Sequence, residues 1–293
     1  MRVPSRFPPG SHRIRVTWKD SSRHLERIFT FKVNNPNFGK PLVDAQSESM
    51  KTEFPNARVS VLWQGNVTDG KEYAGCRDAF ISTRHLKNSG GSNNYGGKDH
   101  LWVGPYGGSH RTLIRYDLSM LPKERIVKRA VLRLHMYNSG RPGLVSMHRV
   151  LRPWGAGSGG ADQEYKGGRH TNGQDWQHIA RPPIEGECSW SMSARTATWA
   201  GPGCGKAGED HEEASVSKAR FNSKEAEGKS NRQPARYWIN WDVTAAVQAW
   251  VQNPDQNFGL LLRLAGKAQT ECRFHSAEYN DPVYRPRLVI AYE

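Results

Sequence analysis

Apolar and polar positions alternate most strongly in two neighbouring stretches, Arg111 to Pro122 and Ala130 to Tyr137. In the first, Leu113 falls on one side and Thr112, Ile114 and Tyr116 on the other, the mark of a half-buried strand. Asp117 closes that run, Leu118 and Leu121 anchor the connection, and Pro122 stops it. In the second, Ala130, Leu132, Leu134 and Met136 share one face while Arg133 and His135 take the other. The pair reads as the centre of a β-sandwich.

Shorter strand patterns flank it at Arg58 to Gln64, Asp78 to Ser82, Leu101 to Val103 and Leu144 to Leu151. Alternation returns at Tyr237, Ile239 and Trp241, and again in Leu260 to Leu264, Glu271 to Ser276 and Pro286 to Tyr292. Asp242 or Thr244 can cap a short helix, AAVQAWVQN, that stops before Pro254. These elements predict an all-β fold: a jelly-roll-like antiparallel β-sandwich with one short helix and a long irregular loop. The loop is the stretch 152–234, where glycines cluster and periodicity dissolves; Ser223 to Gln233 reads as a mobile tip. Near the N-terminus, Ser11 to Val33 alternates on both sides of a turn at Lys19 to Ser22, a hairpin signal. Asn34 to Pro41 and the polar stretch Asp44 to Asn56 read as a linker. Two units follow from this: residues 1–45, a hairpin with its linker, and residues 57–293, the sandwich.

Composition adjusts the picture. Across 293 residues, 29 Gly and 17 Pro suit a turn-rich sandwich. Lys and Arg outnumber Asp and Glu by 42 to 28, and this net +14 favours an anionic partner. Because the basic residues are scattered singly, with no block or arginine-rich helix, nucleic acid is not expected. No apolar run is long enough to span a membrane. The start, MRVPSRFPPG, has charge but no apolar core, so a secretory signal is not visible in this chain, and a start that is truncated or misplaced is expected. Four cysteines, Cys76, Cys188, Cys204 and Cys272, allow two disulfides in three connectivities, and none has zinc-site spacing. Disulfides are expected, with Cys188–Cys204 closing a local loop, in an oxidising compartment.

Candidate chemistry centres on the loop. Trp154, Trp176, Trp190 and Trp199 offer flat apolar indole faces that suit sugar rings, or else they pack the loop onto the domain. Arg111 and Arg115 could fork onto carboxylates or sulfates; alternatively they, Arg285 and Arg287 tie strand ends through Asp117 and Glu278. His275, Glu278 and Tyr279 lie close enough in sequence to raise a lyase or hydrolase reading. Asp210 to Glu213 could ligate a hard cation such as a structural calcium, but four such residues in a loop are usually just solvated.

The landmarks Asp78-Ala79-Phe80-Ile81, Asn94-Tyr95-Gly96-Gly97, Leu101-Trp102-Val103-Gly104, Arg111 to Leu121 and His148-Arg149-Val150 with Trp154 come in one order. They continue through Trp241-Asp242-Val243-Thr244, Trp250, Asn253-Pro254, Phe274-His275-Ser276-Ala277-Glu278 and Arg285-Pro286-Arg287-Leu288. That order resembles the DNRLRE domain, or disaggregatase-related repeat, from about Cys76 to Glu293. The hairpin at Ser11 to Val33 resembles the last two strands of an immunoglobulin-like domain, which makes residues 1–45 its remnant and linker. The resemblance implies a secreted or surface-displayed β-sandwich accompanying polysaccharide-active enzymes or modular surface proteins, carbohydrate-binding-module-like in some members. The function expected is a non-catalytic extracellular module binding an acidic polysaccharide through loop tryptophans and basic residues. A structural subunit of a surface or filamentous assembly, attached to a larger chain or to copies of itself, is the alternative, and a polysaccharide lyase or hydrolase the second.

Overall fold

A computed structural model describes residues 10–19, 24–33, 44–68, 71–83, 93–105, 107–139, 141–159, 183, 186–194, 197–221, 237–266 and 270–293, the first two segments as backbone. In chain order the strands are β1 Gly10–Lys19, β2 His24–Val33, β3 Arg58–Leu62, β4 Asn66–Thr68, β5 Lys71–Tyr73, β6 Cys76–Ser82, β7 His100–Val103, β8 His110–Tyr116 and β9 Val127–Ser139. They continue with β10 Gly143–Arg149, β11 Met192–Ala194, β12 Ala197–Thr198, β13 Ser217–Phe221, β14 Tyr237–Asp242, β15 Leu260–Leu264, β16 Cys272–His275 and β17 Arg287–Tyr292. Two α-helices, α1 Ala45–Glu53 and α2 Thr244–Gln252, and two single-turn 3-10 helices, Pro254–Gln256 and Pro282–Tyr284, complete the described elements. The predicted all-β antiparallel sandwich is what forms.

One sheet runs β13-β10-β15-β8-β6 and the other β3-β17-β9-β16-β7, with β14 also on β9. Register fixes how β9 is shared. β14 pairs with Val131 to Met136, β17 with Val127 to Arg133, and β16 with Met136 to Ser139. Both overlaps put β14 on the opposite edge, so β16 and β17 lie end to end along one edge of β9. The chain leaves that line at 276–286 and returns to it.

Period-two alternation sorts the side chains as the sequence predicts. Leu132, Leu134 and Met136 of β9 meet Ile114, Met147 and Leu262 of the other sheet in the central core. Val247 and Trp250 bring α2 into the same core. The indole N–H of Trp241 donates across it to the Val145 carbonyl at 3.2 Å. Val243 is the N-cap, and the Asp242 carboxylate instead receives the N–H and hydroxyl of Thr244 at 3.0 and 2.7 Å.

Each sheet also has an outer face. Ala79, Ile81, Leu113 and Leu261 on the five-stranded sheet are covered by Val150 just after β10 and by Trp154, Cys188, Trp199 and Cys204 of the long loop. The loop is held down by buried Asn94, whose amide donates to the carbonyls of Ala156 and Cys188 at 2.7 and 2.8 Å. Its oxygen accepts from Gly96 and Gly159 at 3.1 and 2.7 Å. The other sheet's outer face is covered at one end by α1, whose Met50 packs on Val131, Val289 and Ala291.

Three expectations change. The stretch read as a linker at Asp44 to Asn56 contains α1, with Asp44 as its N-cap accepting from Gln46 and Ser47. The tail of the irregular loop supplies β13 as an edge strand, with Ala219 and Phe221 facing the core. The disulfides are absent: all four cysteines are buried free thiols. Cys76 and Cys272 are core side chains, Cys188 and Cys204 fill the loop's own cluster, and the Cys204 thiol points at the Asp210 carbonyl, 3.6 Å away. Burial pushes the Cys188 thiol up to about 12. The hairpin at Ser11 to Val33 is present as β1–β2, paired from Gly10↔Val33 to Lys19↔His24.

Candidate carbohydrate-binding face

Beyond α1, the outer face of the six-stranded sheet carries Arg133, His135 and Tyr137 of β9, the residues that alternation turns away from the core. Trp238 of β14 lies opposite His135 in register. The ring of His135 lies 5.4 Å from Trp238 and 5.2 Å from His275 of β16. His275 in turn stacks on Tyr137 at 4.7 Å and lies 3.7 Å from Tyr279. Tyr284 closes the group, 4.5 Å from His135. Tyr137, Trp238 and Tyr279 are half-buried and Tyr284 is 36% exposed, so ring surface reaches solvent. At its far end the strip continues through Arg273, whose guanidinium lies over Trp102 at 4.1 Å.

Tyr279 and Tyr284 come from the 276–286 excursion, which is anchored before any ligand arrives. The Ser276 hydroxyl donates to the Lys98 carbonyl and the Ala277 N–H to Asp78, at 2.5 and 2.8 Å. Arg285 donates to the carbonyls of Tyr279 and Gln64 at 2.7 and 2.8 Å. Asp78 is 1% exposed. Burial and the neighbouring Glu278 push its carboxyl well above the usual range, and burial also raises Glu278. The pair therefore favours retaining a proton.

The floor of the strip is an ion cluster. Asp44 accepts from Arg133 and Arg287 at 2.5 and 2.6 Å, and both guanidiniums also lie about the Trp238 ring, at 5.0 and 4.8 Å. Arg287 also lies 5.3 Å from the Trp63 ring. Burial alone would raise the Asp44 carboxyl, but the hydrogen bonds and charges of Arg287 and Arg133 outweigh it and hold it below the usual range. Arg285 and Arg287 thus bond to backbone carbonyls and Asp44, whereas the sequence suggested Asp117 and Glu278 as their partners. Asp117 accepts from the Ser119 N–H instead, and Glu278 faces Asp78.

The loop tryptophans are placed differently from a solvent-facing platform. Trp154 and Trp199 are 5% and 4% exposed, with their N–H groups donated to the carbonyls of Phe258 and Ser189. They pack the loop onto the sheet. Trp190 is half-buried under the Arg111 guanidinium at 5.2 Å, and Arg115 lies 5.8 Å from the Trp154 ring. Trp176 lies outside the described residues. A cavity of about 450 Å³ opens beside Trp154, between Arg152, Pro153, Ser193 and Ala197.

The residues considered for a cation are engaged otherwise. Asp210 accepts from the N–H groups of Ala200, Gly201 and Lys206 at 2.8 to 3.0 Å and faces Arg152. Glu212 pairs with Arg149 at 3.2 Å, and the ring of His211 lies 5.2 Å from that of His148. Among the described residues no group of three or more His, Cys, Asp or Glu side chains could hold a metal ion. No described helix is long and apolar enough to cross a membrane.

No curated protein matches the sequence. Residues 210–292 match carbohydrate-binding module family 96. The matched stretch contains Trp238, Arg273, His275, Tyr279, Tyr284 and Arg287, and none of the four loop tryptophans. Over β13 to β17 the chain is similar to a carbohydrate-binding module on an all-β sandwich.

Proposed function

We propose that this chain is an extracellular polysaccharide-binding module whose aromatic strip, from Trp238 through His135 and His275 to Tyr279 and Tyr284, docks an oligosaccharide segment. The observation that carries the reading is the contiguity of five aromatic or imidazole rings on one sheet face, four of them, Trp238, His275, Tyr279 and Tyr284, within the carbohydrate-binding-module match. Sugar rings present apolar C–H faces, which indole and phenol surfaces cover while their polar edges meet hydroxyls. Anchoring of the excursion lowers the ordering cost of binding. The net +14 supports an acidic polymer. Of the described loop tryptophans, Trp190 beside Arg111 is the one whose exposure suits a contribution.

Affinity electrophoresis against alginate, polygalacturonate and neutral glucans tests this. Retardation by at least one polymer, weakened in Tyr284→Ala, is expected; migration unaffected by all of them would sink the reading.

A second reading draws on the same residues. His275 and Tyr279 sit ring to ring with His135 and Tyr137 nearby, the side-chain types that proton abstraction next to a uronate carboxylate needs. Release of unsaturated uronate ends, lost in His275→Gln, would make the module a lyase. A flat ultraviolet trace on every uronate polymer removes that reading for those substrates.

A further inference from the structure

The five-stranded sheet carries a second feature on its outer face, beside the part the loop covers. Arg111 of β8, Arg263 of β15 and Lys218 of β13 project from that face, as does Arg220 one alternation further along β13. Register aligns them. Arg263 pairs with Ser146, and Ser146 with Lys218; Thr112 pairs with Leu262, so Arg111 and Arg263 occupy the next rung. The four strands β8-β15-β10-β13 thus carry a row of positive side chains about 14 Å long, three strand spacings.

Like charges on neighbouring rungs destabilise a sheet unless something offsets them. Among the described residues, no carboxylate pairs with Arg111, Lys218, Arg220 or Arg263. The nearest acids are committed, Asp210 to three backbone N–H groups and Arg152, Glu212 to Arg149. Arg111 donates to the Gly203 carbonyl at 2.6 Å and lies over Trp190; Arg263 reaches only the neutral edge of His211 at 3.4 Å. Burial first, then the neighbouring imidazole of His148 and the guanidiniums of Arg263 and Arg111, bring His211 down to about 4, and His148 is lowered by burial with Arg263 and Lys218 contributing. Both imidazoles are therefore neutral near pH 7 and add no charge to the row. The other face differs, because each of its guanidinium clusters has its carboxylate: Asp44 for Arg133 and Arg287, Glu271 for Arg273.

We infer that the row Arg111–Arg263–Lys218, with Arg220 beside it and Trp190 at its end, is an anion-binding track for the carboxylate or sulfate groups of a polysaccharide. Guanidinium and ammonium groups spaced along one face meet regularly repeating anionic groups, and guanidinium does so as a two-pronged donor. The exposed part of Trp190 gives a sugar ring an apolar surface next to Arg111. Arg263, Lys218 and Arg220 all lie within the carbohydrate-binding-module match, which favours polysaccharide over nucleic acid as the source of the anions. The inference rests on the carbohydrate-binding reading but not on the aromatic strip.

The test uses the full chain and the double variant Lys218→Gln with Arg263→Gln, which keeps side-chain length and removes two charges. Thermal melting confirms that it folds. Binding is measured at low and physiological salt to polygalacturonate for carboxylate, dextran sulfate for sulfate, a neutral glucan and double-stranded DNA. Affinity for one or both polyanions should fall about tenfold or more, with a shallower salt dependence and no change for the neutral glucan. The polyanion that loses more identifies the anionic group. Unchanged affinity for both overturns the track. If Tyr284→Ala weakens binding in that case, the strip stands without the track. A wild-type chain that binds DNA more tightly than either polyanion at physiological salt overturns the polysaccharide assignment, and one that binds no polymer overturns both sites.

Discussion

The two sheets expose opposite solutions to the same problem. On the five-stranded sheet the outward apolar residues, Ile81, Leu113 and Leu261, are sealed under a long loop that brings its own tryptophans and thiols. On the six-stranded sheet the outward residues past α1 are themselves amphipathic, and nothing comparable to that loop's cluster covers them among the described residues. Tryptophan therefore means two things in one chain. Trp154 and Trp199 are packing, whereas Trp238 has the guanidiniums of Arg133 and Arg287 over its ring and keeps part of its surface in solvent. Charges divide the other way: the open aromatic face neutralises its arginines, while the row at the margin of the sealed face has no carboxylate partner among the described residues.

The largest expected effect lies at Asp44. Asp44→Ala would leave Arg133 and Arg287 buried without a counter-charge and remove the α1 cap, costing about 3–5 kcal/mol. Chemical denaturation would show it, and the strip's affinity would fall with it. The lowered Asp44 pKa also gives an acid limit. Its stabilising contribution is present above about pH 4 and is lost as pH falls through the folded value.

On the sealed face the matching change is Asn94→Ala, which strands two carbonyls and two N–H groups. A loss of about 2–3 kcal/mol is expected, and faster proteolysis within 150–211, with polysaccharide affinity at the strip retained. If both faces lose function together, they are not independent. Tyr284→Ala should do the reverse: affinity lower by about tenfold at nearly constant melting temperature.

The smallest effect concerns Asp78 and Glu278. Their folded pKa values lie above the unfolded ones, so their contribution is full below about pH 4 and is lost as pH rises through the folded values. Wild-type melting temperature should decline on the neutral side, and Asp78→Asn, which needs no proton, should flatten that decline. An unchanged slope would show that the pair does not anchor the 276–286 excursion.

The framework strands were legible because each buries one face, and burial of one face writes itself as alternation. α1 was not, because its nine residues are nearly all polar and Met50 alone reaches the sheet. β13 carries a short signal of its own, Lys218 and Arg220 alternating with Ala219 and Phe221, but it sits at the end of an aperiodic stretch. The strip could not be seen from spacing, since His135, Trp238, His275 and Tyr284 come from four stretches joined only by the pairing of β9 with β14 and β16. The loop tryptophans drew attention instead, because composition does not distinguish an indole that packs from one that binds. The charge row was hidden in the same way. Arg111, Lys218 and Arg263 look scattered along the chain and become neighbours only across ladder rungs.

The end-to-end arrangement of β16 and β17 on β9 separates architecture from specificity. Each strand has its own pairs on β9, so the residues between the anchors Ala277 and Arg285 form a cassette flanked on both sides by separately paired strands. A library confined to that cassette, on an otherwise constant chain, is the shortest route to retargeting the face from one sugar to another.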